Sequence, residues 1–181
     1  MTFISGNLCH LKVLQESEHE VKTWTDAVMS GLTTQHLFTG SYPMRYIDVK
    51  EQWKKEREAG DILLGIWTDK FVGTCGLHQH REVYRSWEAR FLIFDADAVG
   101  KGIGKEVSKL LVEYGFDRLN SMRLWLGVSA DNLRAVKAYL DTGWRVEGRQ
   151  RMELFYHGAY HDTYRMAILR DEYEKMQQMP H

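Results

Sequence analysis

Gly100, Gly102 and Gly104 stand on alternate positions between an apolar run, Phe91-Leu92-Ile93-Phe94, and a segment with helical periodicity. A strand, a bare turn and a helix in immediate succession leave few folds open. Glycine reaches backbone angles closed to other residues, so the turn is tight. With side chains stripped away, the N–H groups of Val99-Gly100-Lys101-Gly102-Ile103-Gly104-Lys105 can converge on one ligand. The helix behind them adds unpaired first-turn N–H groups and the positive end of its dipole. Together these make a seat for phosphate or diphosphate. Taken alone, the same glycines could make only a strand-to-helix turn.

The spacing excludes two common phosphate motifs. A dinucleotide fingerprint needs G-x-G-x-x-G, and here the last glycine position holds Lys105. A P-loop needs G-x-x-x-x-G-K-[ST], and here Val99 holds the first position and Glu106 the last.

The rest of the chain sets the turn in an α/β order. Leu8 to Leu14 reads as a first strand, and Glu16–Met29 and Tyr46–Glu58 as helices. Ser30 to Pro43 has no clean period and reads as a loop with a possible helical turn. Asp61–Trp67 and Phe71–His78 form a hairpin about Thr68-Asp69-Lys70. Ser86–Phe94 is the next strand, and Gly102–Leu119 a helix with Ile103, Val107, Leu110, Leu111 and Tyr114 on one stripe. Arg123–Ser129 is a strand. Asp131 or Asn132 caps a short helix to Leu140 or Asp141, which Gly143 ends. Trp144–Tyr156 and Asp162–Leu169 are strands joined by a turn at His157-Gly158-Ala159-Tyr160. The order predicts one mixed sheet with helices on both faces. A single domain over 1–171 is expected, followed by a tail over 172–181.

The chain has 181 residues and a net charge of −1, so no broad field draws it to nucleic acid or anionic lipid. No apolar run is long enough for a membrane span, and the N-terminus lacks a signal-peptide pattern. A cytoplasmic location is the default expectation. Cys9 and Cys75 lie in strand-like runs and read as small buried hydrophobes. His78 and His80 share one strand face, but no third ligand accompanies them, so no metal site is expected.

Val99-Gly100-Lys101-Gly102-Ile103-Gly104 resembles the acetyl-CoA loop of the GNAT superfamily of N-acetyltransferases, written [QR]-x-x-G-x-[GA]. Asn132-Leu133-Arg134-Ala135-Val136-Lys137-Ala138-Tyr139 and then Gly143-Trp144 resemble the family's next motif. Val146-Glu147-Gly148-Arg149 and His157-Gly158-Ala159-Tyr160-His161-Asp162 resemble the closing hairpin of the spermidine, ribosomal-protein and flagellin-sugar N-acetyltransferases. Val99 departs from the usual Gln or Arg, which removes a side-chain contact but leaves the backbone donors.

The resemblance implies a mostly antiparallel sheet splayed in its middle. It implies acetyl-CoA as co-substrate, with its pantetheine arm along Leu92, Ile93 and Phe94. Its pyrophosphate would rest on Val99, Gly100, Lys101, Gly102, Ile103, Gly104 and Lys105, and Asn132 and Ala135 would lie beside the arm. Tyr139 is the expected acid for the departing thiolate, with helix-face packing as its alternative. Glu88 is the expected base for the amine, one residue earlier than related sequences suggest, so that a bulge or register difference is needed. Asp95 and Asp97 read as turn residues. Acceptor contacts are expected from Leu37, Phe38, Tyr42, Tyr46, Trp53, Tyr156 and Tyr160. Glu16, Glu18 and Glu20, on a solvated helix face, are the nearest acidic group for a polycation. His157 and His161 are expected at solvent. The acceptor would be a small-molecule amine such as an amino sugar, polyamine or aminoglycoside. A protein N-terminus, or acyl-CoA binding without catalysis, are the alternatives. A homodimer is compatible with an exposed strand edge.

Overall fold

The protein is described by a computed structural model covering residues 2–31 and 43–178, without the side chains at 80–82. Its elements are β1 (Thr2–Ser5), β2 (His10–Val13), α1 (Glu18–Ser30), α2 (Tyr46–Glu58), β3 (Ile62–Trp67), β4 (Phe71–Arg81) and β5 (Ser86–Ile93). Then follow α3 (Ile103–Glu113), β6 (Arg123–Ser129), α4 (Leu133–Leu140), β7 (Arg145–Tyr156), β8 (Ala159–Leu169) and α5 (Arg170–Gln178). One sheet runs β1-β2-β3-β4-β5-β6-β8-β7. Among the described residues β5 and β6 are its parallel pair, and the other neighbours are antiparallel.

Strand alternation divides the side chains between two cores. Leu14, Leu63 and Phe71 face α1 and α2, where they meet Val21, Trp24, Val49 and Trp53. Leu64, Val72, Leu77 and Ala89 face the other way, toward Ile103, Val107 and Leu111 of α3 and Tyr173 of α5. Helices therefore cover both faces, as the order of elements predicts.

Local chemistry sets the ends of these elements. Ser17 and Glu20 form a reciprocal capping box at the start of α1, and Gly31, at φ 68°, closes it. Asn132 caps α4 by accepting from the Ala135 amide at 3.2 Å. His157 and Gly158 both take positive φ, 49° and 76°, so β7 and β8 join through a two-residue turn rather than the expected four.

Three further expectations are corrected. The four-residue β1 is an additional edge strand, too short and too exposed to show a period. The helix expected to reach Leu119 is regular only to Glu113 and ends in a π-helical turn over Tyr114–Arg118. A Cβ on Gly115 would lie 2.9 Å from Leu124 Cδ1, so that turn sits directly on β6. The expected tail is helix α5 as far as Gln178. Tyr173 is buried there, stacks on Phe116 with ring centroids 4.7 Å apart, and donates its hydroxyl to Asp117 at 2.8 Å.

Glu106 ties the glycine turn to the first hairpin. Its carboxylate accepts from the amides of Asn7, Leu8 and Cys9 at 2.7–3.1 Å. Burial alone would raise its pKa, but these bonds outweigh burial and hold it below the ordinary range. Cys9 and Cys75 are buried free thiols, as expected; burial pushes Cys9 up to about 12.

Candidate active site

β5 keeps its partner on one side and loses it on the other. It pairs with β4 as far as Ile93, but with β6 only over Ser86–Glu88 against Arg123–Trp125. Beyond Trp125, β6 follows β8. The sheet therefore opens between them, as the resemblance implies. Two clefts occupy the opening, of about 410 and 560 Å³. They meet at Phe91, Leu92, Asn132, Ala135 and Tyr139, which line both.

The smaller cleft lies over the glycine turn. Gly100 and Gly102 hold φ of 82° and 85°, which other residues adopt only with strain. Gly102 is the N-cap of α3 and supplies no capping side chain. The first turn bond closes at the Glu106 amide, so among the described residues the amides of Ile103, Gly104 and Lys105 have no acceptor. Gly104 and Lys105 line the cleft, so their two free donors and the positive end of the helix face it. A Cβ on Gly104 would meet only Ile93 Cδ1, at 3.6 Å, an ordinary contact. Packing of the protein does not require this glycine; its missing side chain leaves room in the cleft. The donor set and the space both fit a diphosphate.

Leu92, Ile93, Val99, Gly100, Gly102, Gly104, Lys105, Asn132 and Ala135 line this cleft. The side chains of three residues of the expected cofactor set lie outside it. Phe94 turns into the α1/α2 core, edge-on to Phe71, and its amide donates to the Val72 carbonyl at 3.1 Å. Ile103 is a core residue under α3, and Lys101 is exposed. Lys105 points its ammonium at Asp141, 2.5 Å away. Asp95 caps the turn before Val99 and pairs with Lys70 at 2.6 Å, the structural part expected of it.

Tyr139 stands where the clefts join. Its ring lies 5.4 Å from Phe91 and 6.1 Å from Trp144. Burial pushes its phenol well above the ordinary range, so it keeps its proton at neutral pH. Among the described residues nothing bonds its hydroxyl.

The larger cleft lies under α1 and α2. Trp24 and Trp53 meet edge to face, 5.6 Å apart, and the Trp24 indole donates to Thr74 at 3.1 Å. Trp125 and Arg165 form the far wall, the guanidinium 4.1 Å from the ring centroid. Glu88 lines the cleft in regular register with His78, without the bulge expected at its position; the nearest irregularity lies on β4 between Gln79 and Arg81. Glu88 accepts from Arg90 at 2.9 Å, and Arg90 lies 3.8 Å from Glu56. His78 is 9% exposed, and its Nδ1 lies 2.9 Å from Asp61.

Several acceptor residues expected from the sequence stand outside this cleft. Glu20 is 5% exposed and spent in the capping box, and Glu16 pairs with Arg57, so no acidic face forms there. Of the aromatics, Trp53 lines the cleft; Tyr46 is exposed and bonds Asp26, and Tyr160 packs on Phe155. Tyr156 stacks on His161, whose Nδ1 lies 2.5 Å from Asp131, so His161 is packed rather than solvated. Leu37, Phe38, Tyr42 and the His80 side chain lie outside the described residues. No grouping of three metal-ligating side chains occurs among the described residues.

Sequence reasoning missed Arg134 and Lys137 on the wall of the smaller cleft, and Trp24, Glu56, Arg90, Trp125 and Arg165 on the larger. Arg134 was readable as two residues past the Asn132 cap. The others converge from six separate elements, and no local spacing marks them.

The sequence matches the acetyltransferase (GNAT) domain family over residues 11–145. It is 33% identical over 102 residues to the spermidine N(1)-acetyltransferase of Escherichia coli K12, covering 56% of this chain and 54% of that protein. The chain thus spans about half the length of the first curated relatives it matches. It is 29% identical over 136 residues to the probable N-acetyltransferase YjcK of Bacillus subtilis, covering 72% of each. The crystal structure of spermidine N-acetyltransferase from Vibrio cholerae in complex with CoA and spermine superposes with a TM-score of 0.83 at 23% identity, over 93% of this chain and 99% of that one. The parted strands, the bare turn capping α3 and the family match agree: the chain belongs to the GNAT acetyltransferase family.

Proposed function

We propose that the chain moves the acetyl group of acetyl-CoA to a primary amine of a small molecule by direct attack. The observation that carries this reading is the meeting of the two clefts at Tyr139, between an anion seat and an aromatic-walled pocket. The amides of Ile103, Gly104 and Lys105 hold the diphosphate. Leu92 and Ile93 offer the pantetheine arm the strand edge that β6 leaves. Asn132 keeps the α4 wall in place, and Tyr139 gives its proton to the thiolate as the C–S bond breaks. Holding both reactants in one cavity supplies proximity. Glu88 is placed to hold the ammonium, and its pairing with Arg90 makes it a binding group more than a proton acceptor.

A polyamine or another amine of a small molecule fits a cleft with Glu56, Glu88 and Glu153 on its lining. The names of the relatives support the polyamine. No helix among the described residues is long and apolar enough to cross a membrane. Buried thiols suit a reducing cytoplasm. A dodecameric spermidine N-acetyltransferase from Vibrio cholerae shares the fold at TM-score 0.80. Self-association here would use the β7 edge, where Met152 and Phe155 are exposed. Thiol release from acetyl-CoA against polyamines, amino sugars and short peptides tests the reading. Release that depends on a small amine is expected; release with peptides alone, or with none, would overturn it.

A further inference from the structure

His78 lines the larger cleft with Asp61 paired behind it, both largely shielded from solvent, and the reaction as described gives them no task. Asp61 immediately precedes β3. The pairing of Ile62 with Leu77 carries it to His78, 17 positions on. One carboxylate oxygen lies 2.9 Å from His78 Nδ1, and the other accepts the Gln79 amide at 2.8 Å. Both side chains are 11% exposed. A carboxylate held at both oxygens fixes the ring and makes Nδ1 the protonated nitrogen, leaving Nε2 as an acceptor. Nε2 has no bond among the described residues. It lies 3.6 Å from where a Cβ on Gly76 would be, and glycine leaves it uncovered. Gly76 pairs with Arg90 and Thr74 with Leu92. The bare nitrogen therefore points along β4 toward Gly76, opposite Arg90 and two residues short of Leu92, where the two clefts meet.

Resting on the proposed reaction, we propose that His78, oriented by Asp61, is the proton acceptor for the amine. The amine enters as an ammonium and loses two protons in all. Nε2 takes the first and passes it to solvent through the cleft. The freed lone pair attacks the thioester carbonyl carbon; the N–C bond forms and the C–S bond breaks. Tyr139 protonates the leaving sulfur and recovers a proton from the nitrogen of the adduct. Other charged groups facing this point are Glu88 and Arg90 on β5, Glu56 on α2, and Glu153 and Arg165 on the far wall. Glu88 is the competing base, and its oxygen is engaged by Arg90.

The test compares His78→Gln, Asp61→Asn and Glu88→Gln in the pH profile of kcat/KM for the amine. His78→Gln is expected to cut kcat/KM about 100-fold and abolish the acid limb, with calorimetric acetyl-CoA affinity unchanged. Asp61→Asn is expected to cut it about tenfold and move that limb. The proposal is overturned if His78→Gln keeps the limb and loses under threefold, or if Glu88→Gln alone abolishes the limb. A nitrogen NMR spectrum of the unmodified protein needs neither turnover nor a folded variant. It should show His78 with its proton on Nδ1; a proton on Nε2 would also overturn the proposal. Binding of acetyl-CoA without transfer to any amine, in a protein whose His78 carries Nδ1–H, would instead count against the reaction itself.

Discussion

Replacing Gly104 by Ala separates what the fold needs from what the ligand needs. Gly104 is the second residue of α3 and carries no positive φ. A Cβ there meets Ile93 Cδ1 at 3.6 Å, so the protein accepts it without movement. Alanine is favoured over glycine within a helix by about 0.5–1 kcal/mol. For a chain of this size that raises Tm by about 1–4 °C. The same methyl projects into the 410 Å³ cleft that Gly104 and Lys105 line. Overpacking by a methyl group costs about 1–3 kcal/mol, or about 5- to 150-fold in Kd. The variant should therefore melt higher and bind acetyl-CoA more weakly, by scanning calorimetry and isothermal titration. Unchanged affinity would refute the reasoning about the seat, and a Tm several degrees lower would refute the claim that this glycine is bare for the ligand's sake.

Tyr139→Phe should lower kcat about 100-fold with little change in acetyl-CoA affinity, because it removes a proton donor and keeps the ring between Phe91 and Trp144; steady-state turnover of wild-type order would remove its acid role. Glu106→Gln should cost about 1–3 kcal/mol at neutral pH through weakened charge-assisted bonds to three amides, those of Asn7 and Leu8 exposed and that of Cys9 partly buried. The folded carboxyl sits below its unfolded value, so its contribution is complete above about 4.5 and fades as pH falls through the folded value. The stability gap in urea titrations should close toward acid, and a gap that widened there would contradict this sign.

Much of the frame was written locally in the chain. The Gly100 and Gly102 turn and the Asn132 cap each declare a backbone state locally, whereas the Ser17 cap and the shortening of the closing turn to His157-Gly158 emerged only in the structure. The parting of β5 and β6 was legible by family likeness alone, since it depends on β6 choosing β8 after three shared residues. Long-range polar pairs were invisible. Glu106 reaches amides 97 to 99 positions away, and Asp61 meets His78 only through the β3–β4 register. Phe94 and Ile103 show the opposite limit: both flank the bare turn in sequence, yet strand alternation and the helix stripe send their side chains into the cores.

The central claim is that main-chain amides at the start of α3 clasp the diphosphate of acetyl-CoA while its arm lies along β5. Amide NMR shifts during titration with acetyl-CoA report on this directly. The largest changes are expected at Gly100, Gly102, Ile103, Gly104 and Lys105, followed by Leu92 and Ile93. Saturating shifts confined to other elements, with these amides unmoved, would contradict it.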